Sequence, residues 1–303
     1  MLRSHILAWL LGVLGAPAPA PSAPGAAEMG YWGQFDWSEI LLAEDRVGVE
    51  GSADRAGDRL DEVQWTTEHR LRLRELGKRW GIPKKQLVAL NPDLDRRAPI
   101  AIGTSVRVYS AEASGVDRSI GFPNKGRLTA AVPMPEGTYW KLRRNRDRAF
   151  GTRQTIETLV AVLSEYGETF PGAPSVQLGD ISPRTGGLAE PHRSHQTGRD
   201  VDLRLVRKLR VFASGRERRV IDFDKTWFII NRLVATGNVQ SIYLNAAVQK
   251  RLWPIAKAEA GAAEAERIFE LLHHAHGHGR HMHVRFRCPD EHHRCIPASR
   301  QGS

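Results

Sequence analysis

The chain has 303 residues, 41% of them hydrophobic, and its 44 lysines and arginines outnumber 34 aspartates and glutamates for a net charge of +10. That is enough material for one large domain or two smaller ones with a core. The basic surplus suits an anionic polymer, such as a cell wall or nucleic acid, unless it reflects arginine-rich codon usage. The arginines are scattered and no RNA- or DNA-binding module accompanies them, which argues against nucleic acid as a partner.

The amino terminus reads as an export address. Arg3 precedes an apolar run from Ile6 to Leu14, and a Pro/Ala-rich tract continues through Ala27. The run is too short to span a bilayer and fits a secretory signal over residues 1–27, with cleavage expected after Ala27. A Pro/Ala linker on a cytosolic protein is the alternative. Export implies a periplasmic or secreted protein that is not transmembrane after cleavage. Residues 28–59 read as a polar linker. Tyr31, Trp32, Phe35 and Trp37 crowd its start, and they can pack on the following domain or touch substrate.

A small unit is expected over residues 60–112. Val63 and Trp65 alternate as in a strand, and Leu73, Leu76 and Trp80 mark a helical face stopped by Gly81 and Pro83. Leu87 and Leu90 mark a second helix ended by Asn91-Pro92, and Val106 with Val108 make a closing strand. This strand–helix–helix–strand pattern, with Trp80-Gly81-Ile82-Pro83, Leu90-Asn91-Pro92 and Gly103, resembles a LysM module. The resemblance implies binding to the glycan of peptidoglycan; Arg70-Leu71-Arg72 stands where such modules carry Gly-Asp-Thr. A spacer of the same shape is the alternative. Ala111 to Gly115 reads as a hinge.

The remainder, residues 116–297, reads as a second domain. Thr152 to Tyr166 is the clearest helix, capped by Thr152 or Thr155, with Ile156, Leu159, Val160 and Leu163 on its apolar face. Val176 to Asp180 reads as a strand and 182–187 as a turn. Arg204 to Arg219 is a basic excursion, a long hairpin or surface loop, which can line a substrate groove or form a solvated edge. A helix is expected over 224–236, a strand over 239–244, a short helix over 245–251 and a longer one over 259–274.

Two stretches carry chemistry. His192-Arg-Ser-His195-Gln-Thr-Gly-Arg-Asp200-Val-Asp202 leads into an alternation in which Val201, Leu203 and Leu205 take one face and Asp200, Asp202 and Arg204 the other. Some eighty residues later, His278-Gly-Arg-His281-Met-His283 puts His281 and His283 on the face opposite Met282, Val284 and Phe286. Two imidazoles from one strand, brought to a His and an Asp from another, can surround one metal ion. Three protein ligands leave a fourth position for water, as catalytic zinc requires. Asp200, on the Asp202 face, is placed to orient a ligand. His273, His274 and His276 read as solvated residues at a helix end, with a metal-storage tract as the alternative. Cys288 and Cys295 can pair in an exported protein or, with His292 and His293, form a second metal site.

The order H-x6-D then H-x-H resembles the metallopeptidases grouped with lysostaphin, the D-Ala-D-Ala metallopeptidases and the Hedgehog domain. The flanks Ser194 to Asp202 and His281-Met-His-Val-Arg-Phe-Arg-Cys-Pro289 narrow the likeness to the penicillin-insensitive murein endopeptidases, over roughly Ser119 to Cys295. The resemblance implies one zinc ion held by His195, Asp202 and His283, with His281 as general base and His278 or His192 near the metal to steady the oxyanion. It implies hydrolysis of the D-alanyl–meso-diaminopimelate cross-link of peptidoglycan. A D,D- or L,D-carboxypeptidase on this scaffold, or a catalytically silent wall-binding module, are the alternatives. The expected fold is α+β: a small antiparallel sheet carrying the metal with flanking helices, preceded by the LysM-like βααβ domain.

Overall fold

The computed structural model describes residues 60–142 and 146–298; the expected signal and linker, before residue 60, lie outside them. No described helix is long and apolar enough to cross a membrane.

The described chain begins with a βααβ unit: β1 (Glu62–Thr66), α1 (Leu73–Trp80), α2 (Lys84–Leu90) and β2 (Ser105–Ser110). β1 and β2 pair antiparallel, from Glu62 opposite Ser110 to Thr66 opposite Ser105. In α1 the Glu75 carboxylate accepts the Arg72 N–H at 2.7 Å, satisfying a donor at the helix start, and Gly81 ends the helix with φ +61°. Val63, Trp65, Leu76, Trp80, Leu87 and Val106 are buried together.

The expected hinge is instead a one-turn helix, α3 (Ala111–Ser114), and the βααβ unit is fastened beyond it. Trp80 meets Phe150 edge-on, with ring centroids 6.5 Å apart. Trp65 Nε1 donates to Glu136 at 2.8 Å, and Arg146 Nη2 donates to the same carboxylate oxygen at 2.6 Å. Arg153 Nη1 donates to the Leu60 carbonyl at 3.1 Å. Val63 and Trp80 thus share one apolar core with Phe150 and Ile156. A hinge needs a boundary that few contacts cross, and this one is crossed by buried aromatics.

Short strands then frame the larger body. β3 (Arg118–Phe122) and β4 (Lys125–Thr129) form a hairpin; β5 (Val132–Pro133) pairs with β7 (Phe150–Gly151), and β6 (Trp140–Lys141) with β8 (Val176–Gln177). Between them α4 (Arg153–Thr169) starts where Thr152 Oγ1 accepts the Thr155 N–H.

The principal sheet comes from β9 (Asp200–Arg204), β12 (Val239–Leu244), β13 (Leu272–His274) and β14 (His281–Phe286), in spatial order β13-β12-β14-β9. β10 (Arg207–Val211) and β11 (Glu217–Ile221) form a separate hairpin after β9. Asp222 then caps α5 (Phe223–Ala235). Val201, Leu203, Ile242, Met282 and Val284 are buried in the same core as Leu159 and Leu163 of α4 and Ile230 and Leu233 of α5.

Four expectations need correction. The sheet is mixed, because β13 pairs parallel to β12, Ile242 opposite Leu272. The single helix expected over 259–274 is broken at Gly261, where φ is +81°, and ends with α7 (Ala262–Phe269). Before it α6 (Ala246–Ala260) runs past Pro254, further than the expected 245–251. Together α6 and α7 make the crossover that a parallel pair requires, so His273 and His274 lie on an edge strand and not at a helix end.

Candidate metal centre

Directly opposed residues of an antiparallel pair project from the same face. The β9–β14 register sets Asp200 opposite Arg285, Asp202 opposite His283 and Arg204 opposite His281. A one-residue slip of either strand would turn its three polar residues into the apolar core, and Val201, Leu203, Met282 and Val284 on the other face prevent it. The polar face is itself buried: Asp200 is fully inaccessible, and His281 and His283 are 3% and 7% exposed.

The loop before β9 delivers His192 and His195. His195 has φ +65°, a conformation that costs a non-glycine residue about 1–3 kcal/mol unless its surroundings enforce it. They do so here. The His195 ring bonds through Nδ1 to the Ile181 carbonyl at 3.0 Å, and its backbone N–H donates to Asp200 at 3.3 Å. Gly198, with φ +72°, lets the loop close against helix α4; a Cβ there would stand 2.9 Å from the Thr152 nitrogen.

These elements bring His195, Asp202 and His283 together. His195 Nε2 lies 3.1 Å from His283 Nδ1 and 3.5 Å from Asp202 Oδ1, and His283 Nδ1 lies 3.1 Å from that oxygen. His192 joins them: ligand atoms of His192, His195 and Asp202 all lie within 4.8 Å of one another. It was expected beside the metal as a stabiliser of the oxyanion, and its place in this group makes it a fourth potential ligand.

The donor set fits a divalent cation. His195 Nδ1 faces the Ile181 carbonyl, and His283 Nε2 faces Asp200 Oδ1 at 2.9 Å. Carbonyl and carboxylate oxygens only accept, so these outer nitrogens carry the ring protons. The inner nitrogens then turn lone pairs toward Asp202. His192 follows the same plan, with Nε2 3.2 Å from Asp180 Oδ2 and Nδ1 4.0 Å from Asp202 Oδ2. Buried acceptors this close repel one another unless a proton or a metal cation lies among them, and an N, N, O set suits several divalent ions, zinc included.

The electrostatics agree. Burial alone would favour neutral His195, but Asp202, and more weakly Asp200 and Asp180, raise its pKa to about 9. That field favours any positive charge at the same point. Burial would raise Asp202, yet His195 and His283 hold it well below the usual carboxylate range. Asp200 is likewise held down against burial, chiefly by Arg285, whose Nε donates to it at 2.8 Å. His281 behaves oppositely: burial lowers its pKa to about 4, leaving it neutral near pH 7. Its ring is 4.6 Å from that of His278, whose pKa burial also lowers and whose Nδ1 donates to the His276 carbonyl at 2.8 Å.

Sequence reasoning missed several supporting residues. Asp180 holds His192 and is itself paired with Arg148 at 3.2 Å. Arg285 was legible as the next residue on the His283 face; its Nη1 donates to the Tyr243 hydroxyl at 3.2 Å. Arg199, inside the first motif, is fully buried. It donates to Ser119 Oγ, the Phe286 carbonyl and the Ile296 carbonyl, each at 3.1 Å, tying the motif to β3, β14 and the tail. Burial lowers its pKa to about 10. Cys288 and Cys295 are joined by a disulfide, which leaves no thiolate for a second metal site. His292 inside that loop accepts the Ser119 N–H at 3.1 Å.

Comparison with known proteins places the chain in a family. The family described as penicillin-insensitive murein endopeptidase matches residues 119–302. The chain is 27% identical over 241 residues to the penicillin-insensitive murein endopeptidase of Yersinia enterocolitica, covering 72% of this chain and 81% of the relative. Against the protein of the same name from Haemophilus influenzae it is 30% identical over 190 residues, 56% of this chain and 63% of the relative. For that of Pectobacterium atrosepticum the identity is 27% over 195 residues, 58% and 66% of the two chains. The family match spans more than half of the sequence and contains every residue of the cluster, so the chain belongs to the penicillin-insensitive murein endopeptidase family.

Proposed function

We propose that this chain is an exported, zinc-dependent endopeptidase that hydrolyses D-alanyl–meso-diaminopimelate cross-links of peptidoglycan. The observation that carries the reading is the convergence of His195 Nε2, His283 Nδ1 and Asp202 Oδ1, with the outer nitrogen of each imidazole already committed. These three residues are the proposed ligands, with His192 close enough to share the ion. A zinc ion held there supplies Lewis acidity toward the attacking water and the scissile carbonyl.

The chain's own residues supply the rest. His281, neutral near pH 7 and two residues from His283, accepts a proton from the attacking water and returns it to the leaving amine. The ring N–H of neutral His278 and of neutral His192 is committed to the His276 carbonyl and to Asp180, so either residue would meet a developing oxyanion only in its doubly protonated form. Asp200 and Asp180 fix the orientation of His283 and His192. The βααβ unit, which resembles a LysM module, is read as a glycan contact that holds the enzyme on its polymer.

The test is digestion of purified cross-linked muropeptide dimers with and without a chelator, followed by chromatography. Conversion of dimers to intact monomers, abolished by chelator and restored by zinc, is expected. Survival of the dimers, or trimming of monomers instead, would overturn the endopeptidase assignment.

A further inference from the structure

Beyond the histidine cluster, a cleft of about 700 Å³ opens at the same end of the β9–β14 pair. Its walls carry Arg207, Lys208, Arg210 and Arg219 from the β10–β11 hairpin, Arg251 from α6, and Arg280. Against these six cations the described lining offers one carboxylate, Asp224. Lys208 is balanced by Asp222 and Asp224, at 3.4 and 3.8 Å. The guanidiniums are occupied differently: Arg207 donates to the Arg219 carbonyl, and Arg251 lies over the Phe223 ring at 4.7 Å. Burial, and then the charges of Arg280 and Arg219, lower the pKa of Arg207. Leu205, Val220, Ile221 and Ile255 give the cleft an apolar lining. Like charges held this close over an apolar wall are a cost to the fold that an anionic ligand would relieve.

The cleft adjoins the candidate site along the chain, although none of the clustered histidines or aspartates lines it. Gly279 and Arg280 line it and join His278 to His281, and the Arg280 carbonyl accepts the Leu205 N–H at 3.0 Å. A peptide at the His281 end of the sheet therefore finds guanidiniums along its onward path. Planar guanidinium forks recognise carboxylates, and the apolar wall suits aliphatic stems.

We infer that this cleft is a subsite for the free carboxylates of the stem peptides flanking the scissile cross-link. The inference rests on the peptidoglycan-peptide reading and specifies which part of the substrate sets affinity. Arg207 and Arg280 are its principal anchors, with Arg251 on the facing helix.

The test uses the full-length, zinc-loaded protein and uncleaved stem-peptide monomers, titrated as free acids and as fully amidated counterparts. Wild type should bind the free acids roughly tenfold more tightly, with the preference fading at high salt. An Arg207→Gln/Arg280→Gln double variant should bind both forms equally, and with cross-linked dimers it should raise KM while leaving kcat within about twofold. Arg251→Gln, on a helix surface, should lose part of the preference and covers the case in which the double variant melts early. Equal binding of both forms by wild type, or a preference unchanged in every variant, would overturn the subsite. So would binding of a poly(glycerol phosphate) oligomer in place of the peptides. Cleavage of dimers without a carboxylate preference would remove the subsite alone, whereas preference without cleavage would remove the activity alone.

Discussion

The polar face of β9 and β14 and the β10–β11 hairpin meet at Leu205, and both are dense in ionisable residues, yet they treat charge in opposite ways. On the sheet face the acids and bases are buried and interlocked: Asp200 with Arg285 and His283, Asp202 with His195 and His283, Asp180 with His192 and Arg148. In the hairpin, Lys208, Arg210 and Arg219 are exposed and the cations outnumber the acids. Buried charges must be paired and hold one geometry, whereas exposed ones are screened and tolerate exchange. One region is thus built for fixed chemistry and the other for adjustable attraction.

The sharpest way to break this contrast is to remove a member of the buried cluster. His195→Ala should abolish stoichiometric zinc, measured by elemental analysis, and lower dimer cleavage roughly 10³-fold or more. Retention of tight zinc would separate His195 from the ion. A smaller effect is expected one layer out. Asp200→Asn keeps the shape but removes the carboxylate that orients His283 and neutralises Arg285, so zinc affinity should fall about 10–100-fold in a chelator competition.

A still smaller effect lies at the border between the regions, where Asp222 closes the hairpin and caps α5. Burial would raise its carboxyl, but bonds from the Lys225 ammonium and backbone N–H, with the charge of Lys208, hold it below the usual range. A group so depressed stabilises the fold fully above its unfolded pKa of about 4 and loses that contribution as pH falls through the folded value. Asp222→Ala should cost about 1 kcal/mol at pH 7, and its deficit in Tm should shrink toward pH 3. Leu209→Ser, on the exposed hairpin, should change stability by no more than about 0.5 kcal/mol and serves as the comparison.

How much of this was legible beforehand varied with the physics of each segment. The face shared by Asp200 and Asp202, and that shared by His281 and His283, followed from a two-residue period, which needs no tertiary information. That the polar face is buried did not follow, since alternation separates two faces without saying what covers either. The α4 and α5 helices were readable because each has a cap and a continuous apolar stripe. The segment from 245 to 274 was misread at both ends. The short helix expected over 245–251 runs on through Pro254 to Ala260, with Leu252 and Ala256 buried, and β13 has only three residues, with Leu272 the one that is buried. His192 was named only through the family resemblance, and Asp180, which pairs with it from twelve residues upstream, carried no local signature of that role.

The βααβ unit shares its apolar core with the body that bears the histidines through Trp80, Phe150 and the Glu136 carboxylate. If it grips glycan, the distance from that grip to the scissile bond is built into the protein, and the enzyme reads the wall like a caliper set to one opening. Cross-links at that spacing from a gripped strand would then be presented for cutting, while others would require release and a new hold.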